Sequence, residues 1–229
     1  MALTIKKRQT MTKLYSFFNS SASYRVRIAL ALKGIQYETA GINIRSGEQN
    51  DPGFCKLNPM ALVPALADIP EGSIGQSLAI IDYLDRKYPN VAPLIPEDTA
   101  QRALVLEIAY GIACDIHPVN NMRILKYLSK DLQISEEQKQ AWYEHWIATG
   151  LKSIEALLEK AGSDHFCVGD TPTLADCCLI PQLANAIRMK CDVSAYPRCL
   201  KVYGHCTSMP AFKAAAPENQ PDYIAPATA

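Results

Sequence analysis

The chain has 229 residues, 48% of them hydrophobic, with 23 basic and 23 acidic side chains. That length suits one or two compact domains, and the balanced charge excludes a global field that would recruit nucleic acid or an anionic membrane. No run reaches the ~18 apolar residues of a membrane span.

Eight cysteines form no C-x-x-C pair, and none of the four histidines lies in an H-E-x-x-H or finger spacing. No metal centre is expected, and free thiols point to a reducing compartment, with the cytoplasm as the expected location. Residues 1–11 read as a leader without regular structure, too short and too polar for a secretory signal. Leu14 to Phe18 then reads as a strand, Ser23 to Lys33 as a helix and Gln36 to Ile44 as a second strand. A short irregular or helical piece is expected around Pro52 to Leu57, brief strands at Ala65 to Ala67 and Ser73 to Ile74, and a helix from Ser77 to Lys87. This β-α-β half followed by β-β-α predicts a thioredoxin-like α/β domain over residues 12–92.

Pro89, Pro93 and Pro96 prevent a helix from crossing Tyr88 to Pro96, which reads as the linker. Beyond it an all-helical domain is expected over residues 97–225. Leu104, Ile108, Ile112 and Ile116 form one apolar stripe, interrupted by Pro118. Ser135 with Gln138, and Thr173 with Asp176, have capping-box spacing at the starts of two further helices, and Pro181 should kink the second.

The chemistry concentrates where the first strand meets the first helix. Ser20 and Ser21 stand at the helix mouth, and Arg25 and Arg27 occupy its first turns. A helix N-terminus carries unsatisfied N–H groups and partial positive charge, so hydroxyls there suit an anion such as a thiolate. The same serines would serve equally as the N-cap of a core helix. Gln76-Ser77 opens a second helix in the same way and suits a carboxylate. His117, Asn120, Asn121 and Arg123 cluster around the proline break and need hydrogen-bond partners wherever they are buried.

The segment NSSASYRVRIAL, from Asn19 to Leu30, resembles the (R)-S-S-(C/A)-x-x-R-V-R-I-A-L active-site segment of zeta-class glutathione transferases, the group that includes maleylacetoacetate isomerases. LNPMALVPAL at Leu57, GQSLAIIDYL at Gly75, DIHPVNNMRIL at Asp115 and GDTPTLADCCLIPQ at Gly169 follow in the family's order. The resemblance spans roughly Lys13 to Ile224 and implies the glutathione transferase architecture, a cis Val63–Pro64 bond and a homodimer. It implies glutathione as cofactor, with Ser20 and Ser21 at its sulfur, Gln76 and Ser77 on its γ-glutamyl carboxylate, and the backbone of Val63 on its cysteinyl unit. Arg25, Gln49, His117, Asn121 and Arg123 are further expected contacts, and Arg188 is the expected cation for a diacid substrate.

The implied activity is glutathione-dependent cis–trans isomerisation of maleylacetoacetate-type diacids. Isomerisation of maleylpyruvate, general glutathione transfer or peroxidase chemistry, and a non-catalytic binding module are its alternatives. Two departures from the pattern matter. Ala22 stands where cysteine is frequent, which removes any protein nucleophile there, and Asn19 stands where arginine is usual, which removes one carboxylate anchor.

Overall fold

The computed structural model describes residues 11–91 and 93–225, so residues 1–10 of the expected leader lie outside the described residues. Half-buried and buried side chains alternate along β1 (Lys13–Ser16), the period that lets a strand bury one face. β2 (Glu38–Gly41) pairs parallel to β1, β3 (Ala65–Ile69) antiparallel to it, and β4 (Gly72–Gly75) antiparallel to β3, giving the order β2-β1-β3-β4. α1 (Ser21–Leu32) connects the parallel pair, and α2 (Pro52–Leu57) and α3 (Ser77–Lys87) complete a thioredoxin-like unit. Val26, Ile28, Ala29 and Leu30 are fully buried because α1 packs against α3, α7 and α9.

Both early strands are shorter than the sequence predicts. β1 stops at Ser16 because the carbonyls of Phe17 and Phe18 are taken by the guanidinium of Arg27, at 3.3 and 2.9 Å. β2 is confined to the four residues in register with β1.

The linker is pinned rather than loose. Asp85, near the end of α3, accepts the N–H groups of Leu94 and Ile95 and holds the buried Lys33 at 2.7 Å. Leu174 N–H in turn donates to the carbonyl of Leu94 at 2.7 Å.

The second half contains α4 (Thr99–Tyr110), α5 (Met122–Lys130), α6 (Glu136–Ala161), α7 (Leu174–Arg188), α8 (Pro197–Ser208) and α9 (Pro210–Ala215). Ser135 and Gln138 cap α6 reciprocally, at 3.2 and 2.9 Å. At the head of α7 the buried Asp176 accepts from Thr173 N–H and Oγ1–H and from Cys167 N–H, all within 2.9 Å.

The apolar stripe after the linker does not continue as one α-helix to Pro118. α4 ends at Tyr110, and Gly111–Ile116 widens into a π turn closed by His117 N–H on the carbonyl of Ile112. Such turns are a way of re-aiming side chains inside a helix, and this one leads directly to the His117 cluster. Gly150 of α6 makes room for it: a Cβ there would lie 2.3 Å from the side chain of Ile116.

Candidate active site

α1 begins in a turn whose backbone is held from three directions. Arg27 is fully buried and donates to Ser16 Oγ and to the carbonyls of Phe17, Phe18 and Ala215. Asp222, from the C-terminal segment, accepts Phe18 N–H at 2.8 Å, and Ser20 N–H donates to the carbonyl of Phe17. The two serines then separate in role. Ser20 is the N-cap, its Oγ accepting Ser23 N–H at 3.2 Å, with its own proton left to donate. Ser21 is the first residue of the helix, largely buried, and its hydroxyl has no hydrogen-bond partner among the described residues.

Both serines line a cavity of about 920 Å³. Pro181, Ala184, Asn185 and Arg188 of α7 form one wall, and the segment from Ala216 to Ala225 forms another. Tyr223 of that segment packs edge-on against Phe18 at 5.4 Å. Arg188 donates to Asn185 Oδ1, and the Asn185 amide donates to Tyr143 Oη at 2.8 Å, so the guanidinium is aimed through a second residue.

A second cavity, of about 720 Å³, opens on the other side of the first turn of α1, where Ala22 and Arg25 line it. Arg25 is 2% exposed and donates from one terminal nitrogen to Ser77 Oγ at 3.3 Å. Its Nε and other terminal nitrogen have no partner among the described residues. A buried guanidinium left this incomplete is unfavourable, and burial lowers its proton affinity.

Ser77 is the first helical residue of α3 and not its N-cap. The cap is Gln76, whose side chain makes no capping bond and whose φ of 64° lies in the left-handed region. The N–H groups at the head of α3 therefore lack a side-chain cap. Val63 precedes a cis peptide bond to Pro64, and its backbone N–H and C=O make no hydrogen bond among the described residues. Asn58 supports that loop from within, donating to the carbonyl of Leu62 at 2.6 Å and accepting Met60 N–H.

His117, Asn121 and Arg123 reach the same cavity from the segment after the π turn. Asn121 caps α5, and its amide approaches His117 Nε2 at 3.4 Å. Burial first, then the charges of Arg25 and Arg123, push the His117 pKa down to about 3. The imidazole is thus neutral near pH 7, a polar contact rather than a cation.

Most residues singled out in the sequence therefore divide between two cavities on either side of the first turn of α1; Asn120 lines neither and donates to the carbonyl of Tyr143 at 3.1 Å. Ser20, Ser21 and Arg188 line the first, and Arg25, Val63, Gln76, Ser77, His117, Asn121 and Arg123 line the second. Gln49 lines neither; it lies on the 3-10 turn Glu48–Asn50 with Oε1 enclosed and unpartnered. Sequence reasoning missed Arg45, Asn58 and Asp222. Asn58 had a signal in the Asn-Pro pair that starts its loop, whereas Arg45 and Asp222 reach the site only through the fold. A ligand spanning both cavities would place a carboxylate by Arg25 and Ser77, an amide by Val63 and an anionic centre by the serines.

Residues 11–86 match the family model for the glutathione S-transferase N-terminal domain, and residues 140–205 match the one for the C-terminal domain. A probable maleylacetoacetate isomerase of Vibrio cholerae is 47% identical over 91% of this chain and 97% of its own length. A maleylpyruvate isomerase of Ralstonia is 45% identical over 92% of this chain and 99% of its own. The crystal structure of a maleylacetoacetate isomerase from Methylobacterium extorquens, with bound malonate and glutathione, superposes with a TM-score of 0.88 at 36% identity. That superposition covers 93% of this chain and 100% of the other.

The positive φ of Gln76 is costly for a residue with a side chain. Gln76→Gly should raise the free energy of unfolding by about 1 kcal/mol in urea titrations. A loss of stability would mean that the Gln76 side chain holds the loop in place.

Proposed function

The chain belongs to the zeta-class glutathione transferases, the family of the maleylacetoacetate isomerases, and from that membership we propose that it isomerises maleylacetoacetate-type diacids from cis to trans with glutathione as cofactor. The observation that carries the reading is the pair of cavities on either side of the first turn of α1, one bearing an incomplete buried guanidinium and the other the hydroxyl of Ser21. The residues of the second cavity fit the tripeptide. Arg25 and Ser77, with the head of α3, would hold a carboxylate, and the unpaired backbone of Val63 would hold an amide as a short strand does.

When bound, glutathione supplies the thiolate whose reversible addition turns a conjugated cis double bond into a rotatable single bond. The protein's own tasks are then three. The hydroxyls of Ser20 and Ser21 donate to the sulfur and, with the first-turn N–H groups of α1, favour its anionic form. Arg188 holds a substrate carboxylate and offsets charge that develops on the adjoining carbonyl. The apolar walls from Phe18, Tyr24 and Phe212 limit water around the reacting bond. Ala22 offers no thiol at this position, which supports the cofactor as the source of the nucleophile.

The Ralstonia relative favours maleylpyruvate as a second substrate of the same type, sharing the cis-enone and both carboxylates. Side-by-side turnover of both diacids, with and without glutathione, tests the reading. Activity should vanish in dialysed enzyme and return with glutathione. Arg188→Ala should lower kcat/KM for diacids about thirtyfold or more, or about 2 kcal/mol, while sparing conjugation of a neutral electrophile. Isomerisation without glutathione, or equal losses on both substrate types, would contradict it.

Met60 and Tyr110 are exposed apolar residues that line the second cavity beside Leu62 and Leu106. This is a surface suited to a second copy, which supports a homodimer. Light scattering should return about twice the 25.2 kDa of one chain; a value near one chain at micromolar concentration would reject it. Among the described residues no helix is long and apolar enough to cross a membrane, and the cysteines are free, which supports the cytoplasm as the location.

A further inference from the structure

A diacid has two carboxylates, and Arg188 accounts for one. The first cavity contains two more cationic side chains, Arg45 and Lys213. Arg45 lies in the loop between β2 and the Glu48–Asn50 turn. Its guanidinium stands over the rings of both Phe17 and Phe18, at 5.4 Å from each centroid. Those two residues lead directly into Asn19, Ser20 and Ser21, so the stacking carries the charge to the serine side of the cavity.

The loop is built to present it. Asn43 Oδ1 accepts the Arg45 N–H at 3.0 Å, and Ser46 Oγ donates to the carbonyl of Asn43 at 2.9 Å. Glu48 is the carboxylate nearest in sequence, and it is engaged elsewhere, accepting from Asn43 N–H at 2.7 Å and from Ser46 Oγ. The Arg45 guanidinium has no hydrogen bond or ion pair among the described residues. Arg188, on the α7 side, is close enough that the charge of Arg45 counts among the influences on it, after burial and Tyr143. Lys213 lies among α9 and tail residues, with the carboxylate of Glu218 in the same wall.

Resting on the isomerase reading above, we infer that Arg45 is a specificity-determining residue that binds the second carboxylate of the diacid. The substrate then spans from the loop of the first domain to α7 of the second, with the serines beneath its double bond. The two rings hold the guanidinium by cation–π contact, and its planar fork suits bidentate contact with a carboxylate, which distinguishes arginine from lysine here. It also supplies a cation near the position where Asn19 stands in place of the family's usual arginine.

The test compares the cis-enone diacid with the monoacid whose distal carboxylate is replaced by methyl. It adds calorimetric titration of a saturated diacid of equal length into the glutathione-loaded protein. Arg45→Ala should raise the diacid KM and weaken saturated-diacid binding by about tenfold or more, and change monoacid turnover less than about twofold. Arg45→Lys should recover only part of the loss. Unchanged diacid KM and binding in Arg45→Ala, equal losses on monoacid and diacid, or a diacid-selective loss in Lys213→Ala instead, would overturn the assignment. A wild-type protein that turns over neither acid would sink the isomerase reading itself, whereas wild-type turnover with an indifferent Arg45→Ala would sink only this inference.

Discussion

Two buried guanidinium groups on one helix organise this protein. Arg25 and Arg27 are two residues apart on α1 and so project to opposite sides of it. Every nitrogen of Arg27 is engaged: its donors reach the end of β1, the turn before the helix and the carbonyl of Ala215 in α9. Removing it would leave several buried carbonyls unpaired at once and free the turn that sets the two serines. Arg25 faces the other way and is left incomplete, with only Ser77 as a partner among the described residues. One arginine builds the site and the other waits for a ligand.

That division explains why the site has two chambers. The first turn of α1 is the partition, with the serines facing one side and Ala22 and Arg25 the other. Each chamber draws on both halves of the chain. The larger chamber combines Ser20, Ser21 and Arg45 with Arg188, and the smaller combines Val63, Gln76 and Ser77 with His117 and Arg123. The pinned linker, through Lys33, Asp85 and Leu94, keeps those halves in register. Binding chemistry here depends on interdomain geometry as much as on the side chains themselves.

The order of elements was legible because it rests on local periodicity and proline punctuation: α3 falls on Ser77 to Lys87 as its apolar spacing placed it, and the segment that reads as irregular or helical is α2. What escaped the sequence was set by contacts far away in the chain. β1 ends two residues before its apolar run does because Arg27 claims the carbonyls of Phe17 and Phe18. Ser77 looked like a cap, yet Gln76 takes that place in a left-handed conformation that no side-chain preference suggests. The π turn keeps the four-residue spacing of Ile108, Ile112 and Ile116, so the stripe could not betray it. For the site, motif residues led to the walls of both cavities, while Gln49 lies apart from them. Arg45 carries no periodic or motif signal, and only the stacking on Phe17 and Phe18 brings it in.

Arg25 has Ser77 alone as a hydrogen-bond partner among the described residues, the condition under which a bound carboxylate would complete it. Arg25→Met replaces the buried charge with an apolar chain of similar length, so thermal unfolding with and without glutathione separates fold from function. The glutathione-free variant should melt at or above the wild-type temperature, while the shift produced by millimolar glutathione should be largely lost. A variant that melts well below wild type yet retains the full glutathione shift would contradict a carboxylate-binding role for Arg25.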